Sequence, residues 1–104
     1  MSRLLVVWAD PGHLSPDEAA AWARDSVGAL AAMPGVDRAT LARLAPASER
    51  SASLRDWLLE LHLEPGATAR DLSSTREYCD WLLDLRLLGM QPAAAVTEHT
   101  EDLT

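Results

Sequence analysis

The chain contains no lysine, isoleucine, phenylalanine or asparagine, and it has one cysteine and one tyrosine. The four missing residue types track GC-rich codon use rather than a physical requirement. With Cys79 alone, no intramolecular disulfide can form, so a disulfide-stapled scaffold is excluded. Basic charge is scarce as well: nine arginines stand against sixteen acidic residues, for a net charge of −7. A nucleic-acid binder needs a basic patch to displace counterions from phosphates, and this balance argues against one. The apolar run near the start, Leu4 to Ala9, ends at Asp10-Pro11-Gly12. It is too short for a signal-peptide core or a membrane span. A cytoplasmic chain with no membrane partner is the expectation.

What is present suits one ordinary globular domain. Its 104 residues are 48% hydrophobic and 24% charged, and a single domain over residues 1–104 is expected. Leu4–Ala9 reads as a continuous apolar strand, covered on both sides. Ser15, Pro16 and Glu18 then spell a helix start, with a capping box and proline in the first turn. The stripe Ala19, Ala23, Ser26, Val27 and Leu30 supplies its buried face, flanked by Trp22, and Met33-Pro34-Gly35 stops it. Val36 to Leu44 alternates less cleanly and carries Asp37, Arg38 and Arg43, as a charge-guarded edge strand does. Ala45 to Ser53 reads as a loop. Trp57 to Glu64 alternates well, with Trp57, Leu59, Leu61 and Leu63 on one face. A second helical region starts at Thr68 or at Ser74 and runs to Leu88-Gly89, with Leu72, Cys79, Leu82 and Leu83 as its apolar face. Pro92 to His99 forms a last strand, and the chain then trails off.

The order strand, helix, strand, strand, helix, strand predicts an α+β ferredoxin-like βαββαβ sandwich. Right-handed crossovers put strands one and three in the centre of a four-stranded antiparallel sheet, with two helices on one face. The other face still receives alternate residues of Leu4–Ala9 together with Leu58. At about 25 cal/mol per Å2, three such side chains left wet would forgo several kcal/mol, comparable with the whole stability of a small domain. A second copy of the chain is the simplest cover, so a homodimer through the open sheet is expected.

The arrangement, the Ala32-Met33-Pro34-Gly35-Val36 junction and the Asp84-Leu85-Arg86-Leu87-Leu88-Gly89 ending resemble the dimeric α/β-barrel superfamily. That superfamily includes small antibiotic-biosynthesis monooxygenases, EthD-like proteins and stress-responsive barrel proteins. The resemblance spans nearly the whole chain as a pattern, and no catalytic signature transfers residue by residue. It implies a face-to-face homodimer with a cavity between sheet and helices or within the barrel. It also implies small-molecule chemistry or binding, such as oxidation or cyclisation of an aromatic or apolar metabolite without a cofactor. Two other readings stay open: a catalytically silent assembly module, and a ligand sensor. The sensor reading arises because Asp10-Pro11-Gly12-His13-Leu14 is similar to the Asp-x-Pro-Gly-x-Leu turn of ACT domains, one residue shorter.

Glu60, His62 and Glu64 place three ionisable groups on one face of a central strand. Lining a cavity, His62 is the candidate acid/base and Glu60 its catalytic partner, with Glu64 toward the substrate. On a wet face the same groups would solvate the sheet or pair with Arg38 or Arg43. Trp8, at the end of its strand, is expected at a cavity mouth, and Tyr78 aims its hydroxyl into a cleft or to solvent. Arg43 and His99 complete the candidate substrate-binding set. His13, His62 and His99 with Glu60 and Glu98 match no short ligand spacing, and no metal is expected. Trp22, Trp57, Trp81 and Cys79 are expected to pack in the core.

Overall fold

Alternation governs the first strand. In β1 (Arg3–Trp8), Leu4, Val6 and Trp8 are buried, while Arg3, Leu5 and Val7 stay partly exposed on the opposite face. The computed structural model describes residues 2–44, 56–97 and 103. Helix α1 (Pro16–Ala31) begins at Ser15, whose hydroxyl accepts the Glu18 N–H while the Glu18 carboxylate accepts the Ser15 N–H, both at 3.1 Å. Its buried line is Ala19, Ala23, Val27 and Leu30. Strand β2 (Val36–Arg43) returns along one edge, and β3 (Trp57–Leu63) alternates without a break. The short helix α2 (Ala69–Ser73) leads into α3 (Arg76–Leu87), and β4 (Ala93–Val96) closes the sheet.

The strand order is β2-β3-β1-β4 and every pair is antiparallel. The two strands richest in large apolar side chains, β1 and β3, hold the centre, as right-handed crossovers require. Leu4, Val6, Trp8, Leu59, Leu61 and Leu63 form the sheet side of the core, met by Ala23, Val27, Leu30, Tyr78, Trp81 and Leu85 of the helices. This is the ferredoxin-like α+β arrangement. Residue 37 is skipped in the β2–β3 register, where Val36 faces Leu63 and Arg38 faces His62. That bulge explains the imperfect alternation of β2: one extra residue turns Val36 into the core and Arg38 onto the open face.

Several expectations change. Thr75, not Ser74, caps α3, since its hydroxyl accepts the Tyr78 N–H; Ser74 instead ends α2. The buried face of α3 is Tyr78, Trp81 and Leu85, whereas Leu83 and Leu87 are exposed and Leu82 is only partly covered. Cys79 is consequently exposed rather than buried, its thiol directed to the Ser73 carbonyl at 3.4 Å. The large aromatic pair sets the rotation of the helix, because it buries more surface than the leucines it displaces. The last strand is shorter than Pro92–His99, and the expected loop at Ala45–Ser53, together with Glu98 and His99, lies outside the described residues.

Candidate functional site

Register arranges the open face of the sheet in rows. Arg38, His62 and Arg3 form one row across β2, β3 and β1; Thr40, Glu60, Leu5 and Ala95 form the next; Ala42, Leu58, Val7 and Ala93 form a third. The face is therefore ionic at one end and apolar at the other. None of the three helices covers it; their buried residues pack on the opposite face.

At the ionic end, Glu60 Oε2 stands 3.7 Å from Arg3 and 3.3 Å from His62 Nε2. The His62–Glu60 approach has ion-pair distance but lacks hydrogen-bond alignment, and Nε2 is buried with no hydrogen-bond partner among the described residues. A buried imidazole nitrogen without a partner costs free energy unless something completes it. The partner of Glu60 is Arg3 of β1, not Arg38 or Arg43. Arg43 cannot take part, because it faces Trp57 on the helix side of the sheet. Glu64 lies just past the end of β3 and is exposed.

The remaining candidates sit elsewhere. Trp8 is fully buried rather than at a cavity mouth, with its ring 5.5 Å from Trp81 in an edge contact and 6.4 Å from Trp57 in a stacked one. Its indole nitrogen has no partner among the described residues. Tyr78 is buried beside Trp81, and burial pushes its hydroxyl above the ordinary tyrosine range. Arg43 lies over the Trp57 ring at 5.0 Å and pairs with Asp10 at 3.2 Å. The Asp10 carboxylate also accepts the Trp57 indole N–H at 2.7 Å, so the turn similar to the ACT pattern has its acid engaged internally. His13 is exposed, and among the described residues no three His, Cys, Asp or Glu side chains gather closely enough to hold a metal.

A cavity of about 290 Å3 opens on the helix side of the sheet, between the α1–β2 turn, the end of β3 and α2. Pro34, Gly35, Leu63, Ala67 and Leu72 give it an apolar wall. Leu63 and Leu72 were legible as members of apolar faces, Pro34 and Gly35 as turn punctuation and Thr68 as a cap, but not as one cavity, since Gly35 and Ala67 are brought together by tertiary contact. Arg3 was missed for a similar reason: its place beside Glu60 depends on a strand register that no short turn announces.

No family model matches the chain, and no curated protein matches it. Solved structures do resemble it. SnoaB, a cofactor-independent oxygenase from Streptomyces nogalater, superposes with a TM-score of 0.68 at 15% identity, covering 98% of this chain and 95% of that one. An EthD family protein from Bacillus halodurans C-125 gives 0.69 at 13% identity, covering 96% of this chain and 100% of that one. A dimeric ferredoxin-like protein of unknown function from Thermobifida fusca YX gives 0.67 at 14% identity, over 92% and 88%. The chain thus shares the fold of ferredoxin-like dimeric-barrel proteins, as its element order predicts.

Proposed function

We propose that this chain is a homodimer that packs its open sheet faces together and handles a small aromatic or apolar molecule, with Glu60 and His62 carrying the chemistry. The observation that carries the reading is the open face itself. Leu5, Val7 and Leu58 remain partly exposed there among alanines, and in the row beyond Leu5 the buried His62 Nε2 has no hydrogen-bond partner among the described residues. A twofold partner would remove the leucines and valine from water and place the Arg3–Glu60–His62 cluster against an enclosed, low-dielectric interior. In such a setting an imidazole beside a carboxylate is a suitable general base, and Glu60 would hold the resulting imidazolium.

Cofactor-free oxidation or cyclisation of an aromatic molecule is the finer reading, supported by the fold shared with SnoaB. Both reactions can start with removal of a proton from the ring or its hydroxyl, which is the role assigned to His62.

Sedimentation velocity at micromolar concentration tests the assembly: a species of twice 11.3 kDa is expected, and a folded monomer would overturn it. For the chemistry, oxygen uptake and product formation with a panel of hydroxylated aromatics should be lost in His62→Ala and strongly reduced in Glu60→Gln. Turnover unchanged in His62→Ala would remove His62 from the reaction.

A further inference from the structure

Arg3 and His62 converge on one carboxylate oxygen. Glu60 Oε2 lies 3.7 Å from Arg3 Nη1 and 3.3 Å from His62 Nε2. The backbone holds Arg3 in this place. Its N–H donates to Thr97 Oγ1 at 3.0 Å and its carbonyl accepts the Thr97 N–H at 3.1 Å, so both groups point away from β3. The neighbouring bond to β3 runs from the Leu63 N–H to the Ser2 carbonyl. Arg3 and His62 therefore oppose each other at a non-hydrogen-bonded position of the ladder. Cross-strand side chains come closest at such positions, with Cβ atoms about 4.5–5.5 Å apart.

Few charged groups face the imidazole. β1 supplies Arg3, β2 supplies Arg38, and β3 itself supplies Glu60, with Glu64 exposed past its end. Thr97, on the far side of Arg3, is uncharged, and no helix packs on this face. The His62 side chain is only 13% exposed, so water screens these neighbours poorly. Two arginines oppose a proton on His62. The carboxylate that would favour one is shared with Arg3, and its approach to Nε2 lacks hydrogen-bond alignment. A carboxylate free to align would hold an imidazolium more firmly.

We propose that Arg3 is a positioning residue: by drawing on Glu60 Oε2 it keeps His62 in the neutral, proton-accepting form. The inference rests on His62 as the general base and adds what makes that base available, since a base must be unprotonated before it accepts a proton. Once His62 takes the proton, the same oxygen is close enough to stabilise the charge.

Proton titration of the histidine rings in the full chain, followed by 1H–13C spectra, tests this, with His62→Ala identifying the His62 signals. In Arg3→Gln their midpoint pH should rise by about half a pH unit, roughly threefold in proton affinity, the scale of one partly exposed ion pair. Arg3→Lys, which keeps the charge, should restore most of the wild-type value. The Arg3 side chain is 41% exposed and its strand bonds are made by the backbone, so these variants should fold. In a Glu60→Gln background, Arg3→Gln should raise the midpoint by clearly less, because no carboxylate remains to realign. A midpoint unmoved by Arg3→Gln overturns the proposal. An equal rise with and without Glu60 also overturns it, making Arg3 a plain neighbouring charge, as does a rise that Arg3→Lys leaves in place. The titration uses neither substrate nor turnover. Absent oxygen uptake in the wild type would remove the catalytic reading while the ring titration still decides the role of Arg3. Where uptake occurs, the acid limb of its pH profile should move upward with the ring signals in Arg3→Gln, and a limb that stays in place would overturn the link to the reaction.

Discussion

Asp10 links three segments through one side chain and one amide. Its carboxylate accepts from Trp57 at 2.7 Å and from Arg43 at 3.2 Å, and its own N–H donates to Asp56 Oδ2 at 2.7 Å. Removing the carboxylate leaves a largely buried indole N–H unpaired and releases Arg43 from its seat over the ring. Hydrogen bonds to charged groups contribute about 1.5–3 kcal/mol, so Asp10→Ala should lose about 2 kcal/mol in urea denaturation. Tyr78 makes a different residue-scale prediction. Burial raises its pKa first, the neighbouring Cys79 adds to this, and Arg86 opposes it. The folded state therefore holds the phenolic proton more tightly than the unfolded chain does. This contribution is fully present below the ordinary tyrosine range near 10 and is lost as pH climbs through the raised folded value. Urea midpoints from about pH 9 to about pH 11 should fall, and Tyr78→Phe should flatten that fall.

Among the elements, α1 and α3 contrast. The start of α1 is written in adjacent residues: Ser15, Pro16 and Glu18 need only each other, and the capping box forms as read. Ser15→Ala should therefore cost about 1 kcal/mol, seen as a lower urea midpoint. Glu18 has its pKa lowered, chiefly by the Ser15 N–H it accepts. Its share of the cap is present above the ordinary carboxylate value and lost as pH falls through the depressed one. The rotation of α3 was not legible in the same way. Leucines occupy positions 82, 83, 85, 87 and 88, so the apolar pattern alone permits more than one buried face. Packing of Tyr78 and Trp81 against the sheet selects among them. Leu85, fully buried, should lose about 2–5 kcal/mol on change to Ala, whereas Leu87→Ala at an exposed position should stay within about 0.5 kcal/mol. Equal losses in chemical denaturation would show that α3 is rotated from the position described.

For the whole molecule, the open face of the sheet keeps Leu5, Val7 and Leu58 in contact with water. If partner burial stabilises the native state, mass action makes the melting temperature rise with protein concentration. The wild-type chain should show that rise. Val7→Glu places an unpaired charge in the apolar row beside Leu58 and Ala93, and should both remove the dependence and sediment as a folded monomer. A concentration-independent melt in the wild type would point to a self-sufficient protomer.

Element order, strand centrality and the α1 cap were determined by the sequence alone, because they depend on neighbours along the chain and on the handedness of crossovers. Glu60 and His62 on one strand face were likewise readable from a period of two. Tertiary structure decided which partners they meet. Arg3 reaches Glu60 through antiparallel pairing of segments far apart in sequence, and Arg43 is turned away to Trp57 by the alternation of its own strand. It also enclosed Trp8 and exposed Cys79. The physical reason is the same throughout: local patterns specify direction and period, whereas register, helix rotation and cavities follow from how bulky side chains fill space between separate elements.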